Sequence, residues 1–117
     1  MRLARLKAHA LGHPGATATL QWDNDLVFKV AGKMFLVLGL DADTVESLSG
    51  KVTPADFQRL PRENDAWRPA PYLARASWLQ LTDPAAVPEA EVRALITASY
   101  ELVRARLPAK VRAKLGG

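Results

Sequence analysis

The stretch HPGATATLQWDNDLVFKVAGKMFLVL, residues 13–38, decides the fold of this chain. Residues 16–22 alternate threonine and glutamine with apolar residues, the period-two pattern of a half-buried β-strand. Residues 26–30 and 33–38 are rich in the apolar residues that strands prefer. The last of these runs is apolar on both faces, which predicts a central strand.

Two short turns are expected between these strands. Asp23-Asn24-Asp25 predicts the first turn, because short polar side chains bond to their own backbone and tolerate left-handed conformations. Ala31-Gly32 predicts the second turn, where Gly32 is able to adopt a positive φ. The stretch therefore predicts two consecutive hairpins in an antiparallel sheet.

Helical patterns flank the hairpins. A short helix is expected over residues 2–11, and apolar residues at helical spacing predict a long helix over residues 88–107. Thr53-Pro54 is typical of a helix start, and that helix is expected to end at Pro61. Ser99 lies on the apolar stripe of the long helix, which predicts a close-packing role.

The remaining segments are less regular. Residues 45–52 predict only a weak fourth strand, since two serines and a glycine interrupt it, and residues 61–71 predict a loop. Residues 78–81 predict a fifth strand, with Leu79 and Leu81 facing the helices and the other two residues facing away.

The hairpin stretch also resembles the signature of the MmcQ/YjbR family of small bacterial proteins, in PGAT, the tryptophan that follows and FKVAGKMF. The likeness continues in KVTPADFQRL (51–60), PAPYLARASW (69–78) and ITASYELVRARLP (96–108). The resemblance implies a two-layer α+β domain related in shape to the frataxin-like fold. It also implies DNA binding, through a proposed double-wing arrangement of hairpins.

Pattern and resemblance together predict one domain over residues 1–117, with residues 108–117 as a basic tail. The expected fold class is α+β, a two-layer sandwich. Its antiparallel sheet has about five strands, and the N-terminal and long C-terminal helices pack on one face.

Charge is unevenly distributed along the chain, whose net charge is +4. Residues 1–22 carry three cations and no carboxylate, and residues 104–117 carry five cations and no acidic side chain. Residues 23–103 carry eight cations and twelve carboxylates, a net charge of −4. A polyanionic partner such as DNA is therefore expected at the ends of the chain.

The candidate nucleic-acid contacts are cations in three regions. Lys29 and Lys33 flank the second hairpin turn, where they would meet phosphates, although edge lysines also protect sheets from aggregation. The others lie among aromatic residues or near the C-terminus: Arg68, Arg75, Lys110, Arg112 and Lys114. Trp67 and Tyr72, which accompany Arg68 and Arg75, are expected to pack against the fold.

A second hypothesis is a module that binds a protein or a small ligand on the uncovered sheet face. The residues expected on that surface are Thr19, Gln21, Trp78 and Gln80. An exposed apolar patch around Trp78 would favour this hypothesis over DNA binding.

Several classes of protein are not expected. The chain has no cysteine, which excludes thiol nucleophiles and disulfides and agrees with a cytoplasmic location. We find no GxSxG, HExxH or phosphate-loop motif, so no catalytic residue, cofactor or enzymatic activity is predicted. His9 and His13 are interpreted as surface or helix-end residues rather than metal ligands. No apolar run approaches the ~20 residues of a membrane span, so no membrane association is expected.

Overall fold

A computed structural model describes residues 2–116 of the chain. Its helices and strands, in chain order, are α1 (Leu3–Leu11), β1 (Ala16–Gln21), β2 (Asp25–Val30), β3 (Lys33–Asp41), β4 (Thr44–Lys51), α2 (Pro54–Glu63), β5 (Trp67–Pro69), β6 (Trp78–Leu81), α3 (Glu89–Arg104) and α4 (Ala109–Leu115). The six strands form one antiparallel sheet in the order β1-β2-β3-β4-β6-β5. The α+β fold class is therefore confirmed, with one strand more than expected.

The hairpin turns explain the meander of the first four strands. Ala31 and Gly32 have φ values of 49° and 79°, so both residues are left-handed, as in the tight turns that match strand twist. The β1–β2 turn begins one residue earlier than predicted, because Trp22 and Asp23 are also left-handed, with φ values of 49° and 69°. Trp22 therefore belongs to the turn and not to the strand.

The core lies between the helices and one side of the sheet, which we call the covered face. Leu6 of α1 and Val92, Ile96 and Tyr100 of α3 are buried against it. The sheet contributes Leu26, Phe28, Val30, Phe35, Leu36, Leu38, Leu48, Leu79 and Leu81. The predicted inward orientation of Leu79 and Leu81 is confirmed.

Ser99 joins α3 to the sheet at the closest approach of the two layers. Its hydroxyl donates to the carbonyl of Phe35 over 2.6 Å and accepts from the backbone N–H of Lys51 over 2.8 Å. A Cβ atom added at Gly50 would lie 3.4 Å from both side-chain atoms of Ser99. The small residues at positions 50 and 99 thus allow the helix to contact the strand directly, and the predicted packing role is confirmed.

Residues 61–71 were predicted as a loop, and this was wrong in part, because they contain β5. Trp67 begins that strand and is 4% exposed, which confirms its predicted packing role. Pro69 ends the strand at the edge of the sheet, the place where a residue without an N–H is tolerated.

The helix ends also differ from the prediction. Helix α2 continues past Pro61 to Glu63, where Arg59 bonds both Asp56 and Glu63 across successive turns. Helix α3 ends at Arg104 rather than at residue 107. The predicted basic tail forms α4, while Met1 and Gly117 at the limits of the predicted domain lie outside the described residues.

Candidate functional site

One row of side chains crosses the open face, the side of the sheet opposite the covered face. Strand pairing places six residues opposite one another in turn: Thr19, Val27, Val37, Ser49, Gln80 and Arg68. Neighbouring strands lie about 4.8 Å apart, so the row spans about 24 Å. Arg68 Nε donates to Gln80 Oε1 over 2.7 Å. This row therefore contains Arg68, predicted to contact nucleic acid, and Thr19 and Gln80, predicted for a ligand or protein surface.

Two other residues predicted for this face, Gln21 and Trp78, are less accessible. Gln21 is half-buried and pairs with Asp25 at the end of β1. Trp78 is 4% exposed because residues 70–77 fold back on β6, with hydrogen bonds from Ala70 N to Trp78 O and from Trp78 N to Leu73 O. The predicted surface around Trp78 is therefore not an exposed patch.

A groove lies over the middle of the open face, and we call it the open-face groove. Its volume is about 660 Å³. Its floor is made by β3, β4 and β6 and contains Val37, Gly39, Ser47, Ser49 and Gln80. One wall is the loop segment 70–73, and Trp22, Asp25 and Met34 complete the lining.

Two large aromatic side chains of the groove are exposed to solvent. Trp22 is 64% exposed and Tyr72 is fully exposed. Their φ values, 49° and 66°, are both left-handed, a conformation that is unusual for bulky residues. The prediction that Tyr72 packs against the fold was wrong, because the left-handed turn at the loop tip carries its ring away from the protein.

A second depression, which we call the basic pocket, lies at the β2–β3 turn end of the sheet. Lys33, Lys51 and Arg106 line it. The rest of its surface is mostly apolar: Gly32, Met34, Leu73, Trp78, Val103, Leu107 and Pro108. Its volume is about 550 Å³, and no Asp or Glu side chain of residues 2–116 lines it. Met34 and Leu73 line both depressions, so the basic pocket and the open-face groove are contiguous.

Lys51 is the least solvated of the three cations. Partial burial lowers the pKa of its ammonium group, and the positive charge of Arg106 lowers that pKa further. Lys51 Nζ donates to the carbonyl of Ala76, which ties β4 to the loop beside the groove. Like charges held together around a partly desolvated site favour an anion, because an anion would relieve their repulsion.

Among the predicted cations, only Lys33 lines the basic pocket in the described part of the chain. Lys29 lies on the open face of β2, opposite Thr17 and Met34, and is half-buried. Arg75 is exposed on the short 3₁₀ helix Ala74–Ala76, just after Leu73. Arg68 lies on the edge strand, away from this end.

The three predicted cations of the C-terminus have different environments. Lys110 and Lys114 are exposed on α4, which follows directly from the basic pocket at Pro108. Arg112 instead donates to the carbonyls of Ala105 and Leu107. Arg112 therefore stabilises the chain segment between α3 and α4 rather than pointing freely into solvent.

Lys51 and Arg106 were not predicted as site residues. Lys51 continues the two-residue period of Ser47 and Ser49, and this period could have placed its side chain on the open face. No sequence pattern indicated that Arg106 belongs to the pocket, because its position depends on where the chain turns after α3.

The sheet has a basic end and an acidic end. The β2–β3 turn, the end of β4, loop 72–78 and residues 103–116 hold nine cations and no carboxylate: Lys29, Lys33, Lys51, Arg75, Arg104, Arg106, Lys110, Arg112 and Lys114. The opposite end holds the β1–β2 and β3–β4 turns, with Asp23, Asp25, Asp41, Asp43 and Glu46. The N-terminal cations Arg2 and Lys7 lie beside Asp43 at that acidic end.

The two histidines considered as metal ligands contact one hydroxyl. His9 Nε2 and His13 Nε2 lie 3.1 Å and 3.0 Å from Thr97 Oγ1. His13 Nδ1 donates to the carbonyl of Ala10 over 3.1 Å. Burial lowers the pKa of His9. Within residues 2–116, no group of three or more His, Cys, Asp or Glu side chains could hold a metal ion, and no helix has the length and apolarity to cross a membrane.

Comparison with known proteins gives a family and solved structures of similar fold. The YjbR family model matches residues 11–102. Protein DR2400 of Deinococcus radiodurans, with a domain described as DUF419, is 25% identical with a TM-score of 0.85, over 99% of this chain and 89% of that chain. A protein from Pseudomonas syringae, 18% identical with a TM-score of 0.65 over 87% of this chain and 98% of that one, shares the fold. No curated protein matches.

Proposed function

This chain belongs to the YjbR family, and we propose that it is a DNA-binding protein that contacts the phosphate backbone through the basic end of its sheet. The observation that carries the proposal is the meeting of Lys33, Lys51 and Arg106 in one pocket that no Asp or Glu of residues 2–116 lines. These residues come from a hairpin turn, the end of β4 and the segment after α3. Folding therefore gathers cations that the sequence separates.

Phosphate is the ligand group that this arrangement suits best. Lysine and arginine bind phosphate through charge-assisted hydrogen bonds, and partial burial of Lys51 strengthens them by lowering the local dielectric. The exposed cations Arg75, Lys110 and Lys114 lie in segments of the same end and extend the positive surface. Contacts of this kind position a nucleic acid but do not read its sequence.

The proposed role is binding without catalysis. It requires no cofactor, and it would place the protein in the cytoplasm, the location expected from the absence of cysteine. The hairpin turn at Ala31-Gly32 is the part of the basic end that agrees with the double-wing mode implied by the family resemblance.

The direct test is a titration of fluorescently labelled duplex DNA with the protein at several salt concentrations. We expect the affinity to fall steeply with salt, because each phosphate contact releases counterions. Replacing Lys33 and Arg106 together by alanine should weaken binding and reduce the salt slope by about 2, roughly one for each lost phosphate contact.

A matched control is Lys7→Ala, which removes an exposed lysine near the acidic end. This variant should bind DNA almost as the unmodified protein does. Undetectable binding of both duplex and single-stranded DNA at low salt, or a double variant with an unchanged salt slope, would refute the proposal.

A second candidate function is the binding of a small ligand in the open-face groove. The observation in its favour is the groove volume of about 660 Å³, which lies within the range of about 300–1,000 Å³ of ligand sites. A ligand that protects the protein against thermal unfolding while DNA fails to do so would favour this function.

A further inference from the structure

We infer that the open-face groove receives unpaired bases, so that the preferred nucleic acid is a single strand, with Trp22 and Tyr72 as stacking surfaces. This inference rests on the proposed function, since it names the class of nucleic acid bound beside the basic pocket. It follows from three features of the described residues: two exposed aromatic rings, their backbone conformation, and the continuity of the groove with the basic pocket.

The exposure of the two rings has no explanation in the packing of the fold. Tyr72 is fully exposed and Trp22 is 64% exposed, whereas Trp67 and Trp78 are each 4% exposed. Exposed aromatic rings cost hydrophobic free energy and are typical of surfaces that bind a partner. A nucleobase is a flat apolar partner that stacks on such rings.

The left-handed backbone of Trp22 and Tyr72 adds a second unfavourable contribution to the free energy of folding. A left-handed conformation is unfavourable for residues with a Cβ, and glycine or asparagine would adopt it more readily. Both strained aromatic positions nevertheless line the same groove. The turns require a left-handed backbone at positions 22 and 72, but they do not require an aromatic residue there. Unfavourable residues in such positions are common at functional sites, which supports a binding role for these two rings.

The arrangement of charge identifies the occupant as a nucleic-acid strand rather than an apolar peptide. Met34 and Leu73 line both the open-face groove and the basic pocket. A strand with its phosphates near Lys33, Lys51 and Arg106 would therefore present its neighbouring bases to the groove. Such a combination of cations with stacking rings is typical of sites for single-stranded nucleic acid.

The acidic end limits the length of strand that the groove accepts. From Met34 to Gly39, β3 advances five residues, or about 17 Å at 3.3–3.4 Å per residue. At about 3.4 Å per stacked nucleotide, this distance corresponds to at most about five nucleotides. Asp25 lines the groove opposite Gly39, at the end of this stretch, and with the other carboxylates of the two turns it repels phosphate.

Duplex DNA would not place its bases in the open-face groove. In duplex DNA the faces of the bases are stacked on one another, so that only their edges are accessible. Trp22 and Tyr72 would then gain no stacking partner. The floor hydroxyls of Ser47 and Ser49 are available for hydrogen bonds to base edges only when a base enters the groove.

The test compares a short labelled oligothymidine with a duplex of the same length, by fluorescence anisotropy at low salt. Tighter binding of the single strand is expected. Trp22→Asn and Tyr72→Asn, which suit the left-handed backbone, should each weaken single-strand binding about 5- to 150-fold, the equivalent of one lost stacking contact. Tyr72→Phe keeps the ring and should bind as the unmodified protein does.

Tryptophan fluorescence gives an independent readout, because Trp22 is exposed and the other two tryptophans are buried. The oligonucleotide should quench the emission of the unmodified protein and leave that of Trp22→Phe nearly unchanged. Equal affinity for duplex and single strand, or single-strand binding that neither asparagine variant weakens, would overturn the inference and leave the proposed function standing. Failure to bind either nucleic acid at low salt would overturn both.

Discussion

The covered face of the sheet is packed with side chains removed from solvent, whereas two large aromatic rings beside the open face are exposed to water. Leu36 and Phe28 are fully buried beneath α3, while Trp22 and Tyr72 project beside the groove. Alternate residues of the same strands build both faces. The covered face is therefore explained by folding energetics, and the open face holds features that folding does not explain.

The largest expected effect is a difference in stability between substitutions on the two faces of one strand, β3. Leu36 lies on the covered face of β3 and is fully buried, and Met34 lies on its open face and is half-buried. Leu36→Ala should lower the free energy of unfolding by about 2–5 kcal/mol, because it removes buried methyl groups and leaves a cavity. Met34→Ala should cost about 1 kcal/mol or less, since part of that side chain already contacts water.

Urea unfolding followed by circular dichroism measures both variants under identical conditions. If the two substitutions prove equally costly, the distinction between the faces is incorrect. In that case the open face is as well protected from water in solution as the covered face.

The second prediction concerns a polar group on the covered side. Ser99→Ala leaves the carbonyl of Phe35 and the N–H of Lys51 without their partner, and we expect a loss of about 2–3 kcal/mol of unfolding free energy, from desolvated groups left unpaired. Ser47→Ala is the matched control on the open face and should change stability by less than about 0.5 kcal/mol. Urea unfolding followed by circular dichroism measures both variants. A Ser99→Ala variant whose free energy of unfolding is almost unchanged would show that water replaces the hydroxyl.

The covered face could be predicted from the sequence, whereas most features of the open face could not. Hydrophobic periodicity located the hairpins, the long helix and the inward orientation of Leu79, because burial of apolar residues is a local signal. Strand β5 was missed, since three residues that include a proline carry little periodicity. The position of Tyr72 depends on a left-handed turn, and no residue-type preference predicts such a turn at tyrosine.

The site was predictable only where a residue faces the groove through strand alternation. For this reason the alternation put Gln80, which lines the groove, on the open face, together with Thr19, which lies on that face outside the groove. The basic pocket was not, because Arg106 meets Lys33 and Lys51 only through the packing of α3 on the sheet. Contacts between residues distant in sequence depend on this tertiary arrangement, for which a single sequence gives no direct signal.

The third prediction concerns how much the exposed ring and left-handed backbone of Tyr72 lower the stability of the protein. Tyr72→Asn removes a fully exposed ring and introduces a residue that tolerates φ of 66°. We expect the free energy of unfolding to stay unchanged or to rise by up to about 1 kcal/mol. Ala42→Asn, at another left-handed position with φ of 52°, is the control and should behave in the same way. A clear loss of stability in Tyr72→Asn alone would mean that the ring packs against the fold after all.

The smallest effect is expected from the histidines that join α1 to α3 on the covered side. Burial lowers the pKa of His9 from 6.5, and the neighbouring charges of His13 and Arg93 lower it further, while a hydrogen bond to the Arg93 carbonyl opposes this change. The unfolded chain therefore binds more protons than the folded protein when the pH falls below about 6.5. The contribution of His9 to stability is complete above that pH, and it declines as the pH falls towards the lowered pKa.

Unfolding by urea at pH 8 and at successively lower pH values should therefore show a small decline in stability, beginning near the ordinary histidine pKa. His9→Gln removes the titrating group while retaining an amide that is able to donate to Thr97, so it should flatten this decline and leave stability at pH 8 nearly unchanged. An identical pH profile in the variant would assign the decline to other groups. Because His9 is partly accessible to solvent, water already stabilises some of its charged form, and this is why the effect ranks below the burial of Leu36, the hydrogen bonds of Ser99 and the backbone of Tyr72.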